Sequence, residues 1–228
     1  MNATSAMLLA PFWNGGDDVR GTLRAAAVRG LRSRAVAAGQ ALFRRGERLR
    51  RVFIVMSGAV QVSRADRDGR AKIVDLALPG DVFGFDDFAS GLYAGDAVVL
   101  RDAVVCAIEP QRWWRLSASN PRLPALASLG ATQVNRVLRQ NMRLRLGAAS
   151  RLADCLLQLA EKLGRAEIEL PLSYQDLANY LDLRPETMSR ALHELEDSQC
   201  LRRAGRTRLE LDPERLRVTR ATPRPRQV

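Results

Sequence analysis

Short β-type runs separated by glycine-bearing turns fill the chain from Val36 to Leu100, and this pattern restricts the fold more than any other feature. The runs richest in β-branched residues are 52–56, 60–62, 72–78 and 97–100. Such residues favour strands, and several short strands with turns at this spacing predict a sandwich or a barrel. Residues 66–69 are predicted to form a hairpin turn in which Gly69 supplies the positive φ.

From Arg122 the pattern becomes helical, because apolar residues recur in alternating steps of three and four. The positions on this seam that we assign to dimerisation are Leu123, Val134, Val137, Asn141 and Leu144. A helix of about 25 residues between two segments of different character favours pairing with a second copy of the chain. The alternative is one amphipathic helix packed on its own domain. In a dimer, Asn141 would set register and oligomeric state.

Several short elements are predicted after residue 148. A helix is expected over 149–163, and the alternating segment 167–170 predicts a strand. Ser173, with Asp176 three residues later, comes close to a capping box, so a helix over 174–181 follows.

A second helix begins at Pro185, a residue favoured at the first helical position. Helix, short turn and helix form a helix-turn-helix. The segment 201–211 then indicates an arginine-rich hairpin that turns at Gly205. These elements together predict a winged helix-turn-helix.

The helix over 185–197 has two faces at helical spacing. Its predicted buried stripe consists of Met188, Ala191, Leu192 and Leu195. Its second stripe consists of Glu186, Ser189, Arg190 and His193. These polar groups can read base edges in the major groove, since arginine pairs with guanine and glutamate accepts from cytosine. The alternative is a solvated face with an ion pair between Glu186 and Arg190.

The candidate DNA-contacting residues lie on these two helices and on the hairpin. They are Ser173, Arg184, Glu186, Thr187, Ser189, Arg190, His193, Arg206 and Arg208. We expect Arg184, Arg206 and Arg208 to contact phosphates. The net charge of +11 favours a polyanionic partner, nucleic acid before an anionic membrane. The alternative is an arginine-rich composition without such a partner.

This sequence lacks the residues that are typical of several other classes of protein. With one histidine, no glycine-rich phosphate loop, no Ser-His-Asp set and no pair of catalytic carboxylates, the chain is not expected to be an enzyme. The three cysteines lie far apart and form neither a disulfide framework nor a metal-binding cluster. Without a signal sequence or a long apolar stretch, we expect a cytoplasmic protein that does not bind membranes.

A family resemblance follows from these motifs. Residues 172–190 resemble the helix-turn-helix of the Crp/Fnr superfamily of transcription regulators. Glu186, Ser189 and Arg190 match the Glu-x-x-Ser-Arg signature of its Fnr and FixK branch. The glycine-bearing segments similar to turns of the family's cyclic-nucleotide-binding-type barrel are 39–46, 57–58 and 79–86.

The resemblance implies an α+β fold in three parts. Residues 1–118 would hold a cyclic-nucleotide-binding-type β-barrel (a jelly roll), preceded by a short helix that the helical spacing of 19–33 predicts. Residues 119–148 would form the dimerisation helix. Residues 149–228 would form the winged helix-turn-helix, followed by a basic tail that its composition predicts to be disordered. The resemblance further implies a homodimer that binds a TTGAT-like palindrome on double-stranded DNA and recruits RNA polymerase.

Departures from the family pattern concern the ligands. Members that bind cyclic AMP carry an Arg-Ser pair in the phosphate cassette and a glutamate shortly after Phe-Gly. This chain has Gly95-Asp96 and Phe85 there, and a carboxylate repels phosphate. Cluster-binding members of the Fnr branch use three N-terminal cysteines and a later one, whereas only Cys106 matches here. We therefore expect neither cyclic AMP nor an iron–sulfur cluster.

Haem binding is the alternative for the sensor region. His193, the only histidine, lies on the recognition helix, so axial ligands would have to come from cysteine, methionine or a terminal amine. The expectation is a regulator with no obligatory cofactor. A haem-dependent or other small-ligand-dependent regulator of the same superfamily is the alternative.

Smaller departures affect the DNA-binding domain. Arg184 replaces the usual Ser or Thr before the recognition helix, which removes a capping oxygen that contributes about 1 kcal/mol. Gln199 replaces a glycine after that helix, so a residue suited to a left-handed backbone is missing, and either local strain or a reshaped wing is expected. Cys106 and Cys155 should be buried, and redox sensing by Cys200 is the alternative to a buried, inert thiol.

Overall fold

The computed structural model describes residues 33–66, 68–85, 90–119 and 146–221. These residues fall into two compact units, one within 33–119 and one within 146–221. The predicted N-terminal helix lies outside the described residues except for Ser33, which begins a strand instead. The predicted tail also lies outside them, as do the dimerisation residues Leu123, Val134, Val137, Asn141 and Leu144. No helix in the described part of the chain is long and apolar enough to span a membrane.

The first unit is an antiparallel sheet followed by a helix. Its strands are β1 (Ser33–Val36), β2 (Ala41–Phe43), β3 (Val52–Ala65), β4 (Ala71–Ala77), β5 (Val82–Phe83) and β6 (Asp96–Ile108). Their order is β1, β6, β3, β4, with β2 paired to β6 and β5 paired to β3. Helix α1 (Pro110–Ser119) follows the last strand.

One pair of predicted strands is a single long strand. The runs 52–56 and 60–62 both belong to β3, which continues through Gly58 with shifts in its register against β6. Gly58 has φ +83°, and a Cβ there would lie 2.4 Å from the carbonyl oxygen of Asp102. The prediction that the chain turns at this glycine is therefore wrong, because the irregularity bends the strand instead of ending it.

The predicted hairpin turn between β3 and β4 is confirmed. The Asp66 N–H donates to the Arg70 carbonyl at 2.9 Å, and Gly69 has φ +77°. The Asp66 carboxylate also accepts from the Arg70 N–H at 2.9 Å, which closes the turn a second time.

Aromatic side chains fill much of the core of the first unit. Phe43, Phe53, Phe83 and Tyr93 belong to one buried cluster. The rings of Phe43 and Tyr93 stack with centroids 3.8 Å apart. The Tyr93 hydroxyl donates to the carbonyl of Arg51 at 2.7 Å, and burial raises its pKa. This bond ties the loop before β3 to the segment that carries Tyr93.

The second unit is a winged helix-turn-helix. Its helices are α2 (Ala148–Leu163), α3 (Tyr174–Leu181), α4 (Pro185–Asp197) and α5 (Pro213–Ala221), and its strands are β7 (Glu167–Glu169), β8 (Leu201–Arg203) and β9 (Arg208–Leu211). The strands form an antiparallel sheet in the order β7, β9, β8. The predicted helices, strand and hairpin are confirmed, whereas α5 was not expected from the sequence.

Candidate nucleic-acid interface

Helix α4 has the two faces that its sequence predicts. Met188, Ala191, Leu192 and Leu195 are buried. Arg184, which precedes the helix, has an extended backbone and makes no side-chain cap hydrogen bond, so the expected loss of a capping oxygen is confirmed. The buried stripe therefore fixes the helix, and the Arg184 side chain is left exposed at its N-terminus.

The opposite face of α4 is open to solvent. Glu186, Ser189, Arg190 and His193 are exposed, and Thr187 is half-buried beside them. The Arg190 guanidinium reaches the Thr187 hydroxyl at 3.5 Å, a long hydrogen bond that a base edge can replace. Within the described residues, Glu186 and Arg190 form no ion pair with each other, so both charges are available to a ligand.

The ring of His193 has a defined orientation. Its Nδ1 lies 3.0 Å from the carbonyl oxygen of Ser189, one turn earlier in the helix. A carbonyl oxygen can only accept, so Nδ1 must carry a hydrogen, and in the neutral ring Nε2 is then an acceptor. His193 lines a shallow groove together with Arg190, Glu194 and Asp197. The neutral ring thus offers this groove an acceptor beside the Arg190 donors.

Helix α3 is capped as predicted. The Ser173 hydroxyl accepts from the Asp176 N–H at 3.1 Å and donates to the Asp176 carboxylate at 2.6 Å. Ser173 is exposed, but its hydroxyl already has two partners. Its first role is therefore to start the helix, and a contact to DNA would use its remaining acceptor capacity.

The turn between α3 and α4 depends on a residue that sequence reasoning missed. Asp182 ends α3 in a left-handed conformation with φ +57°. Arg151 of α2 is buried, and its Nη1 donates to the carbonyls of Leu181 at 3.2 Å and Asp182 at 3.3 Å. Its Nε donates to the carbonyl of Leu146 at 3.1 Å. The sequence signal was an arginine among the mostly apolar buried positions of α2.

An ion pair joins the wing hairpin of β8 and β9 to α4. Arg203 of β8 donates from Nε to the carboxylate of Glu196 at 2.7 Å. This hydrogen bond lowers the pKa of Glu196 and raises the pKa of Arg203. The pair is half-exposed and contributes little to stability, but it fixes the wing beside the end of the recognition helix.

The two wing arginines predicted to contact phosphate differ in their surroundings. Arg206 lies exposed at the tip of the hairpin, and no ion pair is found for it among the described residues. Arg208 lies on β9 with its Nε 3.5 Å from a carboxylate oxygen of Glu167 on β7. Arg206 is therefore the freer of the two cations.

The backbone after α4 has the strain expected from its sequence. Gln199 has φ +55°, the left-handed conformation that a glycine would adopt without strain. Arg215 of α5 donates to the Gln199 side-chain oxygen at 2.6 Å and to the Ser198 carbonyl at 3.3 Å, which offsets part of this strain. Cys200 beside it is buried, and its Sγ lies 3.4 Å from the hydroxyls of Ser198 and Thr219.

The positions compared with ligand-binding members of the superfamily lie in the first unit. The Asp96 carboxylate accepts from the Arg45 N–H at 3.0 Å. At Gly95 a Cβ would lie 2.3 Å from the Ser63 carbonyl oxygen, so this backbone approach requires glycine. Phe85 is buried, and Cys106 is buried with its pKa raised to about 11 by desolvation.

An antiparallel sheet unit followed by a winged helix-turn-helix, with an exposed polar face on its second helix, defines a DNA-binding transcription regulator with a sensor-type domain. Comparison with known proteins supports this class. The family model of the cyclic nucleotide-binding domain matches residues 33–120, and that of the Crp-like helix-turn-helix domain matches residues 150–219. The chain belongs to the Crp/Fnr family, and the expected fold class is confirmed.

Individual relatives point to the same branch. The chain is 31% identical over 184 residues to the nitrogen fixation regulation protein FixK of Rhizobium meliloti (strain 1021), covering 78% of this chain and 82% of that protein. It is 29% identical over 184 residues to the fumarate and nitrate reduction regulatory protein of Escherichia coli (strain K12), covering 77% and 73%. The structure of FixK2 from Bradyrhizobium japonicum aligns with a TM-score of 0.75 at 26% identity, covering 85% of this chain and 98% of that one.

Proposed function

We propose that the protein is a homodimeric transcription activator that binds a palindrome of TTGAT-like half-sites without cyclic AMP or an iron–sulfur cluster. The observation that carries the proposal is the exposed face of α4, where Glu186, Ser189 and Arg190 are turned away from the core. These three residues match the signature of the Fnr and FixK branch, whose half-site supplies the sequence that we expect.

The roles at the interface follow from the chemistry of each group. Arg190 is suited to guanine O6 and N7, and Glu186 to the amino group of cytosine. Arg184 at the N-terminus of α4 and Arg206 at the wing tip are placed for phosphate contacts. In a dimer, two recognition helices would enter successive major grooves about one helical turn apart, which is why we propose a palindrome.

Two observations support independence from cyclic AMP and from a cluster. The carboxylate of Asp96 and the buried ring of Phe85 occupy the positions where cyclic-AMP-binding members carry an Arg-Ser pair and a glutamate, so these residues do not fit the nucleotide. Cys106 is buried, and its high pKa disfavours the thiolate that a cluster requires.

Recruitment of RNA polymerase is the proposed output. One relative, 28% identical over 185 residues, is the transcriptional activator protein FnrA of Stutzerimonas stutzeri. The similarity of this chain to that activator supports activation, which the sequence by itself does not distinguish from repression.

The proposal is tested by gel shift with purified protein on a TTGAT palindrome and on a scrambled duplex of the same length. We expect the palindrome to be preferred without any added ligand. A tenfold gain in affinity on adding cyclic AMP, about 1.4 kcal/mol of coupling, would contradict ligand independence. Absorbance above about 350 nm in the protein as purified would instead support the haem or cluster alternative.

A further inference from the structure

The side chain of His193 uses one ring nitrogen within the helix and leaves the other for a ligand. Its Nδ1 is bonded to the Ser189 carbonyl oxygen at 3.0 Å, which holds the ring against the preceding turn of α4. No other hydrogen bond is found for this ring among the described residues. The two ring nitrogens are distinct, and the bond made by one decides what the other can do. Nε2 is therefore the atom through which this exposed ring can bind a partner.

The position of His193 on α4 places it about one base pair beyond Arg190. Three residues of an α-helix rise by about 4.5 Å, and one base pair of DNA rises by about 3.4 Å. Residues three apart share a helix face, and in zinc-finger recognition helices such residues contact successive bases. Arg190 and His193 also line the same groove. If Arg190 reads a guanine, His193 is placed to reach the next base pair, on the side away from Glu186.

The protonation state of the ring decides which base Nε2 can bind. In the neutral ring with Nδ1 bonded to a carbonyl, Nε2 accepts, and the amino group of cytosine can donate to it. In the protonated ring Nε2 donates, and O6 or N7 of guanine can accept. In the major groove cytosine offers only a donor and guanine only acceptors. The two forms of the same ring therefore prefer opposite bases on the strand that they face.

The charged groups around this ring do not titrate where imidazole does. Every residue that lines the groove belongs to α4 or its C-cap, and the charged ones besides the histidine are Arg190, Glu194 and Asp197. Within the described part of the chain, α2, α3 and β8 pack against α4 and contribute no lining residue. Glu196 also interacts with the ring, but it is paired with Arg203 of β8. Carboxylates and guanidinium groups titrate outside about pH 6–8, whereas imidazole titrates within it.

We propose that His193 is a specificity-determining residue whose choice of base depends on pH, with cytosine preferred by the neutral ring and guanine by the protonated ring. The proposal rests on the proposed function, because it extends by one base pair the half-site read from Glu186, Ser189 and Arg190. A phosphate contact is the other use of a cation at this place. A phosphate only accepts, so it gives no role to the neutral ring, whereas a ring oriented by the Ser189 carbonyl presents a directional group in either form.

The test compares duplexes that differ at a single position of each half-site. Each of the two base pairs that flank the guanine of the TTGAT half-site is changed in turn to C·G and to G·C, in both half-sites. Affinities are measured by fluorescence anisotropy at pH 6 and pH 8 at constant ionic strength. The chain has one histidine, so an effect of pH in this range that depends on residue 193 belongs to this ring.

The main variant is His193→Gln, which keeps a donor and an acceptor but does not titrate. The matched control adds Arg165→His to that variant, which restores the number of histidines at an exposed position outside the predicted DNA contacts. Thermal melting by circular dichroism at both pH values checks that each protein is folded.

For the wild type we expect the affinity ratio of the C·G to the G·C duplex to fall about tenfold from pH 8 to pH 6 at one of the two positions. The ratio should not depend on pH in His193→Gln, and the added Arg165→His should not restore the dependence. A ratio that is independent of pH in the wild type, or equally dependent on pH in His193→Gln, would overturn the proposal.

A gain at pH 6 that is equal on all duplexes and absent from His193→Gln would also overturn the proposal, and it would assign the ring to a phosphate. A wild-type protein that prefers no palindrome over the scrambled duplex at either pH would instead contradict the proposed function. Preference for the palindrome at both pH values without the change in ratio would overturn the role of His193 alone.

Discussion

The guanidinium group occurs in several different settings in the DNA-binding unit. Arg190 projects from the exposed face of α4, and Arg206 lies at the tip of a hairpin. Arg208 lies near Glu167, and Arg151 is buried against carbonyl oxygens. The same side chain can therefore read a base, hold a phosphate or stabilise a turn, and its surroundings decide which.

Arg190 and Arg206 should have separable effects on DNA binding. Arg190→Ala is expected to lower the preference for the palindrome over a scrambled duplex by roughly 1–3 kcal/mol, because it removes a bidentate base contact. Arg206→Ala is expected to weaken binding to both duplexes alike and to reduce the salt dependence by about one phosphate contact. Salt titrations of both variants on both duplexes measure the two quantities.

Arg202→Ala serves as the control, because Arg202 lies on the same wing but is bound to Glu210. We expect Arg202→Ala to change neither the preference for the palindrome nor the salt dependence of binding. Equal weakening of both duplexes by Arg190→Ala would contradict base reading by this residue.

The three cysteines should be inert in the folded protein. All three are buried, and burial raises the pKa of Cys106 from 9.0 to about 11. We expect a thiol reagent at pH 8 to label the native protein far more slowly than the protein in denaturant, since the thiolate is the reactive form. Rapid labelling of Cys200 in the native state would favour the redox alternative.

The raised pKa of Cys106 also predicts a pH effect. A thiol that holds its proton more tightly when folded contributes stability that is complete below the unfolded pKa. This contribution is lost as the pH rises from about 9 towards 11. Replacing Cys106 with Ala should make the unfolding free energy less sensitive to pH in that range, as urea titrations at several pH values can show.

At the scale of elements, local signals predicted the two helices of the recognition motif. They did not predict the contacts, distant in sequence, that hold the elements in position. The cap at Ser173 and the proline at Pro185 lie next to the helices they start, so α3 and α4 could be predicted closely. The course of β3 through Gly58 depends on Asp102, which belongs to another strand. The role of Arg151 depends on carbonyls about thirty positions later in the chain. Contacts of this kind leave no periodic pattern.

Arg151→Met tests the contribution of that buried arginine to the turn. The substitution retains much of the side-chain volume and removes the donors to Leu181, Asp182 and Leu146, so we expect a loss of about 1–3 kcal/mol in the unfolding free energy. DNA affinity should fall with it, because the turn sets the position of α4. Urea unfolding and anisotropy measure the two effects.

The exposed Arg165 provides a control for this substitution, and Arg165→Met should change neither stability nor DNA affinity. An Arg151→Met protein with wild-type stability would show that the carbonyls find other donors.

At the scale of the whole molecule, the proposed function requires two copies of the recognition helix. A single helix-turn-helix reads one half-site, so the preference for a palindrome depends on pairing. The assignment of residues to pairing stays a prediction from the sequence, because these residues lie outside the described residues. Their assignment depends on the steps of three and four along 123–144.

Replacing both Val134 and Val137 with Asp should convert the dimer to monomers, because the interface would bury unpaired charge. Thr132→Asp, on the opposite side of the predicted helix, should leave the dimer intact. Sedimentation velocity measures the oligomeric state, and palindrome binding should weaken in parallel with dimer loss. An unchanged sedimentation coefficient in the double variant would show that the copies pair elsewhere.

The division of α4 into a buried and an open face has an evolutionary consequence. Substitutions on an exposed face usually change stability by less than about 0.5 kcal/mol. The buried residues Met188, Ala191, Leu192 and Leu195 attach the helix to the core of the domain. Mutations on the exposed face can therefore accumulate without unfolding the domain; its residues are Glu186, Ser189, Arg190 and His193. A lineage carrying this scaffold can acquire new target genes by exchanging a few surface side chains, and gene duplication followed by such exchanges would give paralogues with separate regulons.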